Sequence, residues 1–354
     1  MPQPTPPRTN LSALWTDGLG RASIRSVQAL AVAALVVALV WAMTRVPLVL
    51  IPLTLALILA SAISPLVHLL TARHWPRALA VAASYVAILV VFGGIVTGVV
   101  YLIRAQAKEL TDRFTNGIAQ LHAFLNNGPV KVSDAQITSA RDSIQRFFTN
   151  GSIGAEALTG ARTVGEILAG IVLMIVILFF FLKDGAKIRG FFVGFMPPRH
   201  QPTAHRALER SAHVLGGYVR GTALIAVIDS ILVAITLLIL RVPLAVPLAV
   251  FVFIGAFIPI IGATVAGLLA VVVALVSSGP LPALIVLAVL IVVNQLEHHI
   301  LQPLLMGRVL SIHGLAIVLS LAAGTMLAGI VGALLAVPVT AVGWTIIKTF
   351  TGRD

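Results

Sequence analysis

The feature that most constrains this chain is a series of apolar runs long enough to cross a lipid bilayer. Runs with at most one charged residue cover residues 46–70, 78–103 and 163–182, and a helix needs about 20 apolar residues to span the hydrocarbon core. The chain is 59% hydrophobic and 10% charged, whereas roughly a quarter of the residues are charged in an average soluble domain. This composition excludes a soluble enzyme, a disordered protein and a disulfide-stapled domain. We therefore predict an all-α, polytopic integral membrane protein.

The spacing of the runs predicts about six to eight transmembrane helices and a division of the chain into five parts. Residues 1–26 are polar and rich in proline, which is typical of a flexible cytoplasmic tail and not of a cleaved signal peptide. The other four parts are an N-terminal three-helix membrane part (27–103), an extramembrane segment (104–162), a C-terminal transport part (163–347) and a short cytoplasmic tail (348–354).

The extramembrane segment has the pattern of amphipathic helices. Its apolar residues recur at steps of three and four, which places them on one helical face, and they are Leu110, Phe114, Ile118, Leu121 and Leu125. The sequence Asn-Asn-Gly-Pro at 126–129 should end this first helix. A second amphipathic helix is predicted to begin at Ser133, with Gln136 completing a capping box.

The distribution of basic residues predicts the orientation of the chain in the membrane. Short basic segments lie at 8–25, 73–77 and 183–220, and short loops rich in Lys and Arg stay on the cytoplasmic side. Placing all three in the cytoplasm puts both termini there and the 104–162 segment outside. We expect a multi-pass protein of the bacterial inner membrane.

Two apolar segments, 244–276 and 315–347, are 33 residues long. As straight helices they would extend about 50 Å, against about 30 Å of hydrocarbon. Each is therefore either a re-entrant hairpin or a kinked span. The residues expected to break the helices or to act in gating are Gly255, Pro259 and Gly262 in the first segment and Gly324, Gly329, Gly332 and Pro338 in the second. Such paired interruptions indicate the substrate site of a transporter.

Polar residues inside apolar runs give the candidate site. Asp229 lies in the middle of a run at about 212–240, where a carboxylate is costly unless it is functional or hydrogen-bonded. The candidates for binding a substrate or an ion are Asp229, Asn294, Glu297, His298 and Gln302. The alternatives are that Asp229 only locks helices together and that the polar residues at 294–302 lie at the membrane interface.

Nothing in the sequence predicts catalysis, a cofactor or a metal site. The chain has no cysteine, no nucleotide-binding glycine loop with its lysine and no His-Glu-x-x-His motif. His298 and His299 alone make a weak case for a metal. The net charge of +12 is spread over loops, so we expect no nucleic-acid partner.

The C-terminal half resembles the autoinducer-2 exporter family of bacterial transporters. The resemblance rests on residues 180–185, 217–221 and 257–262, and above all on the order of polar, Gly and Pro residues from 294 to 338. Many members have His-Pro-Leu where this chain has His313-Gly314-Leu315. The N-terminal half is similar only in layout.

The resemblance implies a multi-span permease, because members of this family are often credited with export of the quorum-sensing furanone. The leading expectation is a secondary transporter of a small solute, using Asp229, Asn294 and Glu297. The alternatives are a Na⁺(Li⁺)/H⁺ antiporter of the same family, a passive channel, or a non-transporting membrane scaffold that acts through 104–162. Expected partners are the lipid bilayer, the solute or Na⁺ and H⁺, and a second copy of the chain.

Overall fold

The structure is a computed structural model that describes residues 23, 26–28, 30–31, 45–126, 157–259, 261–306 and 313–352, with the backbone alone for 107–126, 157–164 and 306. These residues are helical or lie in short connections. Most of the first apolar run, 27–44, and the second amphipathic helix predicted from Ser133 lie outside the described residues.

The described residues fall into two units, one before Ile51 and one from Ile51 onward. In the first unit, residues 23, 26–28 and 30–31 are helical, with Val27 and Leu30 exposed. The Val46 carbonyl accepts hydrogen bonds from the amides of Val49 and Leu50. These bonds lie at the start of the next helix, Pro47–Ala72.

Three long helices begin the described membrane part: α1 (Pro47–Ala72), α2 (Arg77–Asn126) and α3 (Ala157–Gly194). Helix α2 has 50 residues, so it extends about 75 Å. The first amphipathic helix predicted in the 104–162 segment continues the apolar part of α2 without a break. The helix ends at Asn126, where the sequence Asn-Gly-Pro follows.

Small residues let α1, α2 and α3 pack closely, which is how membrane helices associate in the absence of a strong hydrophobic force between them. The buried cluster consists of Ala56, Ala60, Val67, Ala80, Val81, Leu178 and Leu182. The Tyr85 hydroxyl donates to the Ile175 carbonyl at 2.6 Å. Helix α3 kinks at Asp184 (φ −115°, ψ 16°), and beside this kink the Arg77 guanidinium donates to the Leu182 carbonyl at 3.2 Å.

Replacing Tyr85 by phenylalanine should weaken the contact between α2 and α3. The change removes one interhelical hydrogen bond, at a cost of about 0.5–1.5 kcal/mol. We expect the purified protein to unfold at a lower temperature in detergent, measured by tryptophan fluorescence. Tyr101→Phe is the matched control, because the Tyr101 side chain is 71% exposed. Equal melting temperatures for both variants would contradict the assigned role of the Tyr85 hydroxyl.

Helix α4 (Gln201–Ile239) is the central element of the C-terminal part. A 3₁₀ turn at Pro198–His200 leads into it, so the helix begins before the apolar run predicted from about residue 212. Val233 and Leu237, in its C-terminal half, belong to the largest buried cluster. This cluster also includes residues of the helices that follow.

The first long segment, 244–276, is a helical hairpin and not a kinked span. Its arms are α5 (Ala245–Gly255) and α6 (Gly262–Ser278), with 11 and 17 residues, or about 16 and 25 Å, so neither crosses the bilayer alone. A Cβ atom added at Gly255 would lie 2.6 Å from the Gly262 carbonyl oxygen. The two glycines therefore let the backbones touch where the chain turns around Pro259.

The chain then runs through α7 (Pro280–Leu296), a π-helical turn (Glu297–Leu301) and α8 (Gln302–Met306). The last helix, α9 (Gly314–Thr351), is interrupted at Ala328 (φ −144°, ψ 24°) and Gly329 (φ 58°, ψ −139°). Gly324 and Gly332 contact each other through their backbones, whereas residues eight apart on a straight helix are about 12 Å apart. Segment 315–347 is therefore also a hairpin, which reverses at Ala328 and Gly329.

Pro338 is not a break, in contrast to the prediction. It is buried within the second arm of α9, and non-helical backbone angles occur only at Ala328 and Gly329 among the described residues of this helix. A proline inside a membrane helix removes one hydrogen bond, which a buried neighbourhood tolerates.

Among the described residues, six helical stretches are long and apolar enough to cross a membrane: Pro47–Ala72, Arg77–Gln106, Gly165–Gly194, Pro198–Ile239, Pro280–Leu305 and Gly314–Thr351. The last of these is the α9 hairpin. The chain is an all-α polytopic membrane protein, as the apolar runs predict.

Candidate functional site

The candidate site is built around Asp229, in the interior of α4. The side chain is 2% exposed, and its Oδ1 atom has no hydrogen-bond partner among the described residues. An unpaired carboxylate in such a place costs several kcal/mol in typical proteins. A buried polar atom without a protein partner is typical of a functional site.

A second carboxylate comes from the π-helical turn. Glu297 is the first residue of this turn and is half-buried, and its Oε1 accepts a hydrogen bond from the Gln302 Nε2 at 3.2 Å. Single π turns inside α-helices occur often at functional sites, because the wider turn changes the direction of the side chains. Here the wider turn brings Gln302, five residues ahead, to the Glu297 carboxylate.

The two carboxylates interact with each other. Asp229 lies in the electrostatic field of Glu297, since α7 and α8 pack against α4. Two like charges in a partly buried site are stable together only if one carboxylate is protonated or a cation lies between them. The pair can thus hold a proton or a cation, and Gln302 adds a hydrogen-bonding amide.

The structure separates the five predicted site residues. Asp229, Glu297 and Gln302 come together. Asn294 is half-buried one turn before Glu297 on α7. On a regular α-helix Asn294, Glu297 and His298 would share one face, but a π turn replaces the α-helical geometry from Glu297 onward. His298 and His299 are exposed, and the His299 Nδ1 pairs with the Gln295 carbonyl at 3.0 Å.

The seven predicted interruption residues have distinct positions. Pro259 lies in the turn of the first hairpin, and Gly329 in that of the second. Gly255, Gly262, Gly324 and Gly332 bring the paired arms into contact. Pro338 lies inside an arm. Both hairpins pack against α4, the helix that carries Asp229.

Three further polar residues on α4 were not predicted from the sequence. Ser211, Tyr218 and Thr222 are buried on the same face of the helix as Asp229. Their spacing of seven, four and seven residues repeats the helical period, and a search for hydroxyl residues at these intervals before Asp229 would have found them.

The chain is similar to several known transport proteins. The family model described as AI-2E family transporter matches residues 30–352. A protein of Mycobacterium tuberculosis (strain CDC 1551 / Oshkosh) named "Putative transport protein MT0215" is 41% identical over 314 residues, which cover 88% of this chain and 86% of that protein. YueF of Bacillus subtilis (strain 168), with the same kind of name, is 28% identical and covers 82% and 81% of the two chains. The "AI-2 transport protein TqsA" of Escherichia coli (strain K12) is 27% identical over 302 residues, which cover 82% and 83%.

Proposed function

Because the chain belongs to the AI-2E family of transporters, we propose that it is a secondary transporter that moves a small solute across the bacterial inner membrane. Both termini lie in the cytoplasm in this proposal, since the basic segments at 73–77 and 183–220 favour that orientation. The transport site consists of Asp229, Glu297 and Gln302.

The observation that carries the proposal is the buried Asp229 carboxylate beside Glu297. A buried acidic pair with an unpaired oxygen is costly to maintain. A group of this kind inside a membrane protein typically marks an ion or substrate path.

The two hairpins supply the gates. One crossing, Pro280–Leu305, separates the end of the α5–α6 hairpin from the start of α9. The hairpins therefore enter the membrane from opposite sides in this proposal, and both contact α4. Broken helices in this inverted arrangement surround the binding sites of several transporter folds. Movement of one hairpin away from α4 would open the site to one side only.

The quorum-sensing signal is the proposed solute. A relative with 27% identity over most of both chains carries the name of an AI-2 transport protein. A polar furanone would bind to amide groups such as Gln302 and Asn294, together with backbone groups exposed at the hairpin turns. Exchange of Na⁺ or Li⁺ for H⁺ is the second candidate, favoured by the two carboxylates, because oxygen anions bind these cations and protons competitively.

Flux through proteoliposomes containing the purified full chain tests the proposal. We expect efflux of the furanone above that of protein-free liposomes. Cation-dependent proton movement without furanone flux, measured with an internal pH dye, would favour the second candidate. No flux of any of these from folded protein would reject both and favour a scaffold.

Glu297→Gln should slow transport by about tenfold, because it removes one charge of the pair while the amide still accepts the bond from Gln302. The measurement is the initial rate of solute flux at equal protein content. His299→Gln is the control, since His299 is exposed and bonded to its own helix. Equal rates for Glu297→Gln and the wild type would remove Glu297 from the site.

A further inference from the structure

We propose that Ser211, Tyr218 and Thr222 line a file of water molecules that carries protons between the N-terminal end of α4 and Asp229. This route rests on the proposed function, because it serves the ionisable group of the transport site. It adds three residues and a direction of proton access to that site.

Helix geometry places the four residues in one column. At 100° per residue, Ser211, Tyr218, Thr222 and Asp229 lie within about 20° of a common line on α4. From Ser211 to Asp229 the column extends about 27 Å along the helix axis. The side chains are 4%, 8%, 7% and 2% exposed, in that order.

The column contains polar atoms that lack partners. Ser211 Oγ, Thr222 Oγ1 and Asp229 Oδ1 are buried, and none has a hydrogen bond of normal geometry within the described part of the chain. Thr222 lies close enough to Tyr218 for a polar contact, but this contact does not satisfy its hydroxyl. Buried polar groups left unpaired by protein are normally satisfied by ordered water.

The chemistry of the column suits protons better than a dehydrated metal cation. Serine, threonine and tyrosine hydroxyls each accept one hydrogen bond and donate another, whereas Na⁺ needs several oxygen ligands at each position. Ser211 and Tyr218, and likewise Thr222 and Asp229, are separated by about 10 Å along the helix axis, so the route needs about three water molecules at hydrogen-bond spacing in each interval.

The end of the column at Ser211 lies in the basic segment 183–220, which the proposed orientation places in the cytoplasm. Arg206 and Glu209, within two turns of Ser211, are exposed. At the other end, Glu297 is the charged group that Asp229 faces among the described residues. The two hairpins packed on α4 have no charged residue or histidine over 245–278 and 314–347.

Each proton transfer along the column breaks one O–H bond and forms another. A hydronium ion in bulk water gives a proton to the first water beside Ser211, and each oxygen accepts one proton as it releases another. The last transfer breaks an O–H bond of water and forms the O–H bond of the Asp229 carboxylic acid. The same bond breaks when the proton leaves.

Hydrogen–deuterium exchange of the Asp229 acid proton tests the route. The full chain in liposomes is transferred to D₂O, and the carboxylic-acid band that disappears in Asp229→Asn is followed by time-resolved infrared spectroscopy. We expect Thr222→Val and Ser211→Ala to slow the exchange by about tenfold each, since each removes one relay oxygen.

Two variants on the same helix are matched controls. Thr236→Val and Ser230→Ala make the same chemical changes, but the Thr236 and Ser230 hydroxyls bond to the carbonyls of Leu232 and Val227. Both should exchange at the wild-type rate. Equal exchange rates in the wild type, Thr222→Val and Ser211→Ala would overturn the route, as would a wild-type spectrum without an Asp229 acid band at any pH.

The exchange experiment needs no solute, so it separates the route from the proposed function. Slow exchange in Thr222→Val together with no solute flux in the wild type would keep the route and reject the transporter. Wild-type exchange in Thr222→Val together with normal solute flux in the wild type would reject the route and keep the transporter.

Discussion

Asp229→Asn should abolish solute flux in proteoliposomes, lowering the initial rate by about a hundredfold, the typical effect of removing a group that transfers a proton. The amide has nearly the shape of the carboxyl group but cannot ionise. It also removes the negative charge that a buried carboxyl group with an unpartnered oxygen among the described residues can carry. We therefore expect the melting temperature of the variant to equal or exceed that of the wild type.

Loss of solute flux without loss of thermal stability would distinguish a functional role of Asp229 from a structural one. If Asp229 only held helices together, Asp229→Asn would lower the melting temperature and leave the flux of the remaining folded protein intact. Asp184→Asn serves as the control, because Asp184 is partly exposed and pairs with Lys187 at 3.5 Å within its own helix. That variant should retain wild-type flux.

Gly332→Ala should lower the melting temperature by about 2–4 °C, because overpacking costs about 1–3 kcal/mol even where side chains can yield. Here the added methyl group meets the Gly324 carbonyl and lies 3.0 Å from the Ala328 Cβ atom. Backbone atoms cannot rotate away, so the two arms of α9 must separate. Thermal unfolding in detergent and the yield of monodisperse protein measure the effect.

Gly343→Ala is the matched control in the same arm of α9. A Cβ atom at Gly343 would have nothing within 4 Å, and alanine is the better helix former. We expect wild-type or slightly higher stability for this variant. If Gly332→Ala melted at the same temperature as Gly343→Ala, the close contact between the arms would be refuted.

The apolar runs predicted the class of fold because a membrane imposes one strong rule: each crossing must be helical and about 20 residues long. The same rule showed that segments of 33 residues could not be simple spans. It could not decide between a hairpin and a kink. That choice depends on whether Gly324 meets Gly332, and Gly255 meets Gly262, which are contacts between separate turns.

The site was predicted less completely than the fold. Asp229 was found because a charge in an apolar run is conspicuous. The pairing with Glu297 depends on how α4 packs against the following helices, and the π turn at Glu297–Leu301 has no reliable pattern in a single sequence. Ser211 and Thr222 were overlooked because hydroxyl side chains are common in membrane helices, where they usually bond to their own backbone.

The hairpin form of α9 also has a consequence for the biosynthesis of the protein. A straight apolar helix can enter the bilayer alone as it leaves the ribosome, since its backbone is satisfied internally. The reversal at Ala328 and Gly329 exposes peptide groups that lipid cannot solvate, and α4, against which α9 packs, is synthesised earlier. Membrane integration of α9 should therefore wait until the earlier helices have assembled, so that the final step of insertion is a folding step and not a partitioning step.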